Sequence, residues 1–304
     1  MTTKGITWSK FKRQIPLHVM LIPGLILVLI FSFGPMFGIT IAFQRFIPAK
    51  GFFDSPWIGW DNFKFIFMLP DFKRAFWNTI NIAVMKITAG LFAPVVTALL
   101  LNELRNVLLK RSIQTIIYLP HFLSWVLLSG ILIDLLSPSQ GIVNQILGAF
   151  NIKPIFFLGN NSWFPFTIVI TDMWKDFGFG TIIYLAAMAG IDSNLYEAAV
   201  IDGANRWKQT WHITLPGMRA VIVLLITLSL GQILNAGFDQ IFNLYSPIVY
   251  QSGDIIDTFV YRLGLVNYQY SVATAVGLFK SVVALFLISS SYYMAYRYAN
   301  YRIF

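Results

Sequence analysis

Few side chains in this sequence have the types and spacing that could do chemistry, and most of those candidates argue against catalysis. Asp172 and Asp176 stand one helical turn apart, as a carboxylate pair would, but Lys175 beside them points to charge compensation rather than acid–base work. His18, His121 and His212 are far apart and show no metal-ligand spacing. There is no cysteine, so thiol chemistry and disulfides are excluded. No G-x-x-x-x-G-K-[ST] loop occurs, nor any Gly-Lys dipeptide, so this chain cannot cradle ATP phosphates in the usual way. No G-x-S-x-G or H-E-x-x-H occurs either. A membrane-embedded enzyme would need a convergent set, and none is present. What remains is suited to moving a solute. Gln232, Asn235, Asp239 and Asn243 recur at intervals of three, four and four residues. On a continuous helix they would form one polar stripe about 80° wide. Such a stripe either lines a path for a hydroxyl-rich solute or joins helices by hydrogen bonds.

The elements that must position these residues are membrane helices. The chain is 57% hydrophobic and 12% charged, with a mean hydropathy of +0.68; soluble domains carry about 25% charged residues. Its 28 Phe and 9 Trp suit lipid-facing surfaces and interfacial belts. Six apolar stretches reach the roughly 20 residues a span needs: Leu17–Phe43, Phe76–Leu101, Ile113–Leu136, Trp163–Ala189, Ala220–Phe242 and Ser271–Tyr296. The fold class expected is all-α, a polytopic membrane protein of six transmembrane helices. A short cytoplasmic segment (1–16) precedes a membrane domain (17–304), and the first span reads as a retained anchor. Segments 44–75, 137–162 and 243–270 read as connections of ordered turns and interfacial helices, given their Pro, Gly and aromatic content.

Charge sets the orientation. With the N-terminus inside, the inner segments hold Lys4, Lys10, Lys12, Arg13, Arg105, Lys110, Arg111, Arg206, Lys208, Arg219, Arg297 and Arg302. The outer segments hold only Arg45, Lys50, Lys64, Lys73, Arg74, Lys153 and Arg262. This bias places both termini, and the segment 190–217, in the cytoplasm. It also accounts for the net charge of +9 without nucleic acid as a partner. Lys86, Asp172, Lys175, Asp176 and Lys280 fall inside spans, where a charge costs at least about 2.5 kcal/mol and so faces the bundle interior or water. Lys86 and Lys280 either offset the charge of an anionic solute or pair with an acid. Trp125, Trp174 and Phe177 read first as interfacial packing, with stacking on the ring of a solute as the alternative.

The segment 190–217 carries the most specific pattern: Glu197-Ala198-Ala199, then Gly203, Ile213 and Leu215-Pro216. Asn194 with Glu197 reads as a helix start. Leu195, Ala198, Ala199 and Asp202 share a face, and the alanines allow close approach by a partner. Gly203 suits a left-handed helix end. A second short helix carries Arg206, Trp207 and Trp211, and Pro216 suits the first turn of the next span. The expectation is a helix–turn–helix pressed against another surface.

That spacing resembles the EAA loop, by which permeases of binding-protein-dependent ABC importers grip their ATPase. The resemblance extends to Tyr118–Phe122, Ile201–Trp207, Leu234–Gln240 and Gly253–Thr258, which are similar to permeases of carbohydrate uptake family 1. The likeness is marked for the subgroup associated with oligosaccharides, often uronate-containing, from plant or algal polysaccharides. It implies a type I ABC importer permease (MetI-like) fold with a cytoplasmic coupling loop, and a transport subunit rather than an enzyme. The implied partners are a second, related permease, two ATPase subunits and an extracytoplasmic sugar-binding protein, in a prokaryotic cytoplasmic membrane. No cofactor would be bound by this chain; ATP and Mg would sit on the ATPases. Glu197, Ala198, Ala199, Asp202, Gly203, Arg206, Trp207, Ile213, Leu215 and Pro216 would form the ATPase contact. Gln232, Asn235, Asp239, Asn243 and Lys86 would border the path. Another solute, or an ATP-independent secondary transporter with the same polar spans, is the alternative.

Overall fold

The structure, a computed structural model, describes residues 8–299; Lys4 and Arg302, two of the inner charges, lie outside them, as does most of the first half of segment 1–16. The described residues are helical, with one isolated antiparallel bridge between Gln44 and Trp57 and no strand. Helix α1 (Trp8–Val28) continues through a π turn (Leu29–Phe33) and a 3-10 segment (Gly34–Phe43). Residues Gln14–Phe43 thus form a 30-residue apolar rod whose most apolar stretch the rest of the chain does not cover. Its C-terminal end is anchored by aromatic packing. Phe43 stacks on Trp57 at 5.6 Å and meets Trp60 and Phe63 edge-on or tilted. The Asn62 amide donates to the Ala42 and Gln44 carbonyls at 2.8 and 3.0 Å.

The chain then forms α2 (Asp61–Met68), α3 (Pro70–Glu103), α4 (Val107–Tyr118), α5 (Trp125–Leu135), α6 (Ile142–Ala149) and α7 (Phe164–Ala189). After the 190–217 segment, with α8 (Ser193–Ile201) and α9 (Arg206–Gln209), come α10 (Leu215–Gly231), α11 (Phe238–Leu244), α12 (Tyr250–Gly253), α13 (Ile256–Tyr261) and α14 (Tyr270–Ala299). Among the described residues four stretches are long and apolar enough to cross a membrane: Gln14–Phe43, Pro70–Glu103, Arg206–Gly231 and Tyr270–Tyr293. α7 has the length, about 39 Å at 1.5 Å per residue, but Asp172, Lys175 and Asp176 interrupt its apolar run.

Two of the expected spans differ in shape. The third, 113–136, is not straight: Val107–Phe122 and Trp125–Leu135 meet at 105°. Leu119-Pro120 tightens the end of α4 into a 3-10 turn. Leu123 is extended, and the Ser124 hydroxyl accepts from the Leu127 N–H to start α5. The fifth, 220–242, is not continuous: α10 ends at Gly231, residues 232–237 turn, and α11 starts afresh at Phe238. The pivot is Gly237, at φ +94°, a left-handed conformation that residues with a Cβ avoid.

Lipid is as apolar as leucine, so packing and hydrogen bonds hold such helices together. One buried cluster joins α3, α5, α7 and α11 through Ile82, Leu128, Ile168 and Ile241. A second joins α2, α3, α13 and α14 through Ile66, Phe72, Phe259 and Val276. A third, with Ala98, Tyr184, Met188 and Met218, binds α3, α7 and α10 near the 190–217 segment.

Candidate functional site

The loop between α7 and α10 is two short helical arms around a glycine. Asp192, not Asn194, caps the first arm: its carboxylate accepts from the Asn194 N–H at 3.0 Å. The chain leaves α7 at Gly190 and re-enters a helix at Ser193, so Asp192 occupies the extended position a cap requires. Gly203 ends the arm as expected, at φ +75°, with its N–H on the Val200 carbonyl and the Ala204 N–H on that of Ala199. Asn205 caps α9 through the Lys208 N–H at 2.9 Å. A π turn (Thr210–Thr214) then feeds α10, with Pro216 in its first turn. The Tyr196 hydroxyl bonds that of Thr214 at 3.0 Å, and the Gln209 amide donates to the Ala204 carbonyl, so the arms are tied to each other.

The structure separates the expected contact residues into two groups. No residue of α8 is buried: Glu197, Ala198 and Asp202 are exposed, as are the apolar Leu195, Val200 and Ile201, and Ala199 is half-covered. Arg206 and Trp207 instead border a cavity of about 470 Å³ against the C-terminal end of α3, with Arg206 4.0 Å from Glu103. Trp207 packs edge-on to Trp211 at 5.9 Å. Ile213 and Leu215 are partly covered, Leu215 against the third cluster. Pro216 is exposed.

The intramembrane charges are paired. Lys86 on α3 donates to the Asp172 carboxylate on α7 at 2.8 Å and to the Gln240 side-chain oxygen on α11. The Gln240 amide nitrogen donates to the Ile168 carbonyl at 2.8 Å and lies 2.9 Å from the Thr171 hydroxyl. Three helices are joined by this one network. Lys175 donates to the His121 carbonyl at 2.7 Å, and the His121 ring meets Asp176 at 2.8 Å. Asp172 and Asp176 therefore answer different partners and do not form a carboxylate pair. A Cβ on Gly237 would lie 2.7 Å from the Lys86 Nζ, so the network sits directly against the turn that breaks the fifth span. Gly237→Ala should destabilise the protein by at least about 1–2 kcal/mol, the strain of a left-handed residue alone. A thermal unfolding midpoint in detergent equal to wild type would contradict this placement.

The break also divides the expected stripe. Gln232 and Asn235 stay together, with the Asn235 amide 3.5 Å from the Gln232 oxygen. Both border a cavity of about 390 Å³ whose other polar walls are Asp257 on α13 and Lys280 on α14. Asp239 and Asn243 lie on α11, away from that wall, and Asn243 bonds the Asp239 carbonyl at 2.7 Å. The helix turn inserted at residues 232–237 resets the phase, so a stripe drawn through all four residues does not exist.

The connection 243–270 folds back onto α3. The Thr79 hydroxyl on α3 accepts from the Ile256 N–H at 2.8 Å, and the Asn78 amide donates to the Gln251 and Asp254 carbonyls. Asp254 holds Arg262 at 2.6 Å, and the guanidinium lies 4.3 Å from the Tyr250 ring centre. Burial alone would lower the Arg262 pKa. The hydrogen bonds and charge of Asp254 outweigh it and raise the pKa above its ordinary value.

Residues 86–303 match the family of the binding-protein-dependent transport system inner membrane component. The chain belongs to that family. It is 43% identical over 302 residues to protein LplB of Bacillus subtilis strain 168, covering 99% of this chain and 95% of that protein. It is 39% identical to the polygalacturonan/rhamnogalacturonan transport system permease protein YteP of the same organism, covering 97% and 92%. A solved bacterial alginate ABC transporter, in complex with an alginate pentasaccharide-bound periplasmic protein, contains a similar chain. It has a TM-score of 0.88 and 38% identity, covering 96% of this chain and 97% of that one. As a member of this family, the chain is a multi-pass membrane transport component and not an enzyme.

Two functional candidates escaped the sequence reading. Gln240 falls between the stripe positions, yet it is fully buried and bridges α11 to α3 and α7. Asp257 sits in a segment that reads as an outer connection, yet it pairs with Lys280 at 2.5 Å. The available signal was Lys280 itself: an intramembrane lysine demands an acid, and no acid on its own helix is within a turn of it.

Proposed function

We propose that this chain is one permease subunit of an ATP-driven importer for oligosaccharides, uronate-bearing ones included, delivered by an extracytoplasmic binding protein. The observation that carries the reading is α8: a helix with no buried residue that presents Glu197, Leu195, Val200 and Ile201 to the outside, tied through Tyr196–Thr214 to α10, whose far end borders the polar cavity. Exposed apolar residues on a capped, glycine-ended arm suit a protein surface. We assign that surface to an ATPase. Glu197, Ala198, Ala199, Asp202 and Gly203 make the contact, and Arg206 and Trp207 brace the arm against α3. A second permease completes the membrane unit, and two ATPase subunits bind beneath it with ATP and Mg. Both termini face the cytoplasm, in keeping with the Lys and Arg distribution.

The mechanism is alternating access. ATP closes the ATPase pair, α8 moves with it, and α10 carries that displacement to the turn at residues 232–237, where the helix already breaks. The cavity then faces outward, accepts sugar from the docked binding protein, and reopens inward after hydrolysis. Proteoliposomes containing both permeases and the ATPases, supplied with loaded binding protein, should accumulate sugar only with ATP. Accumulation by this chain alone, without ATP or partners, defeats the proposal. Within the same assay Asn235→Leu should cut uptake about tenfold, the scale of one lost polar ligand contact. Asp239→Leu, away from the cavity, should stay within about twofold. Equal losses in the two variants would remove the cavity from the path.

A further inference from the structure

Lys86 and Lys280 are both intramembrane lysines paired with an acid, but their surroundings differ. The Lys86 ammonium is spoken for by Asp172 and Gln240, and its side chain is only 10% exposed. Lys280 has Asp257 as its one hydrogen-bond partner among the described residues, and both side chains remain 23% exposed at the cavity wall. A lysine ammonium carries three donors on a flexible stem. One is used here, so two are free to meet whatever enters. Across the same cavity the Gln232 amide nitrogen and the Asn235 side-chain oxygen are not engaged in the contact between the two amides, and they offer donors and an acceptor, the chemistry of a sugar hydroxyl's partners. Phe238 adds an aromatic wall, and its volume of about 390 Å³ falls within the range of small-ligand sites. Phe238 and Asp257 also border a second, larger cavity against the 3-10 segment and α14, so the pair stands where two spaces meet.

We propose that this cavity is a binding site for a carboxylate-bearing sugar residue in transit, with Lys280 as its charge-selecting group. Lys280 turns a free donor to the sugar carboxylate while Asp257 keeps hold of the ammonium, so one cation bridges two carboxylates. Gln232 and Asn235 take the ring hydroxyls. Asp257 is a positioning residue: it sets where the ammonium stands and touches no sugar. A neutral sugar leaves Lys280 satisfied by Asp257 and gains nothing from it. The site rests on the oligosaccharide-import reading above and specifies the substrate class for it.

The test uses the assembled complex in proteoliposomes, with an oligogalacturonate and an oligoalginate trisaccharide as probes, delivered by the binding protein. Lys280→Gln should lower uptake of the acidic probe by about thirtyfold or more, the low end of what losing one partner of a buried charge pair costs in binding. Uptake is compared per assembled complex, because Lys280→Gln leaves the Asp257 carboxylate without its cation and lowers stability by itself. Lys280→Arg and Asp257→Asn should both remain within about threefold, because each keeps the cation. A pair that only braces α13 against α14 gives another pattern. Lys280→Gln and Asp257→Asn then fall together, and the exchanged variant Lys280→Asp with Asp257→Lys restores uptake. That pattern overturns the proposal, as does unchanged uptake in Lys280→Gln. ATP-dependent import confined to neutral sugars overturns the charge-selecting site but leaves the importer reading standing. The absence of any ATP-dependent sugar import overturns both.

Discussion

Gly203→Val should lower sugar uptake by about tenfold or more while the subunit still inserts and assembles. Gly203 sits at φ +75° and ends α8 by turning the next N–H groups back onto the Val200 and Ala199 carbonyls. A Cβ there would meet nothing within 4 Å, so no clash is created. The cost is conformational, about 1–2 kcal/mol for a left-handed L-residue. The chain can relieve it by abandoning the turn, which swings α8 relative to α9 and breaks the path from the exposed arm to α10. Stimulated ATP hydrolysis should persist while uptake falls. Gly203→Asn serves as the control, because asparagine tolerates the left-handed region and its uptake should stay near wild type. If a well-expressed Gly203→Val complex transports normally, α8 is not the coupling arm.

The second large effect belongs to Lys86 and Asp172. Their ion pair spans α3 and α7 at 2.8 Å, with Gln240 of α11 sharing the ammonium. Removing one partner leaves the other charge stranded among helices, which costs roughly 3–5 kcal/mol. Lys86→Met and Asp172→Leu should each lower the thermal midpoint of the solubilised subunit sharply. The double variant should recover much of the loss, since two well-packed apolar residues leave no charge to compensate. The recovery is incomplete because Gln240 still loses a donor. Purified single variants as stable as wild type would show that the network is not holding the three helices.

How much of this was legible in the sequence depends on whether the cause was local. The helical class, the membrane setting and the two-arm loop were readable because each follows from nearby residues: apolar run length, a second short helix around Trp207, and Gly203 as an end. The start of α8 was misplaced by two residues because Asp192, Asn194 and Ser193 are all acceptable caps, and only the departure of α7 at Gly190 chooses among them. The straight third span and the continuous fifth were wrong for a related reason. A hydropathy run reports what a stretch is made of, and says nothing about a 105° bend at Leu123 or a pivot at Gly237.

By itself the sequence determined that this chain is a helical membrane protein with no catalytic set of its own and a two-armed loop between its apolar helices. Periodicity, charge bias and capping chemistry act within a few residues, so no fold is needed to read them. Only the tertiary structure decided which polar groups meet. It turned Asp239 and Asn243 away from the cavity, gave Gln240 to Lys86, and brought Asp257 from an outer connection to Lys280. Those pairings join residues between 23 and 154 positions apart, and a buried charge selects its partner through the packing of whole helices rather than through its neighbours in the chain.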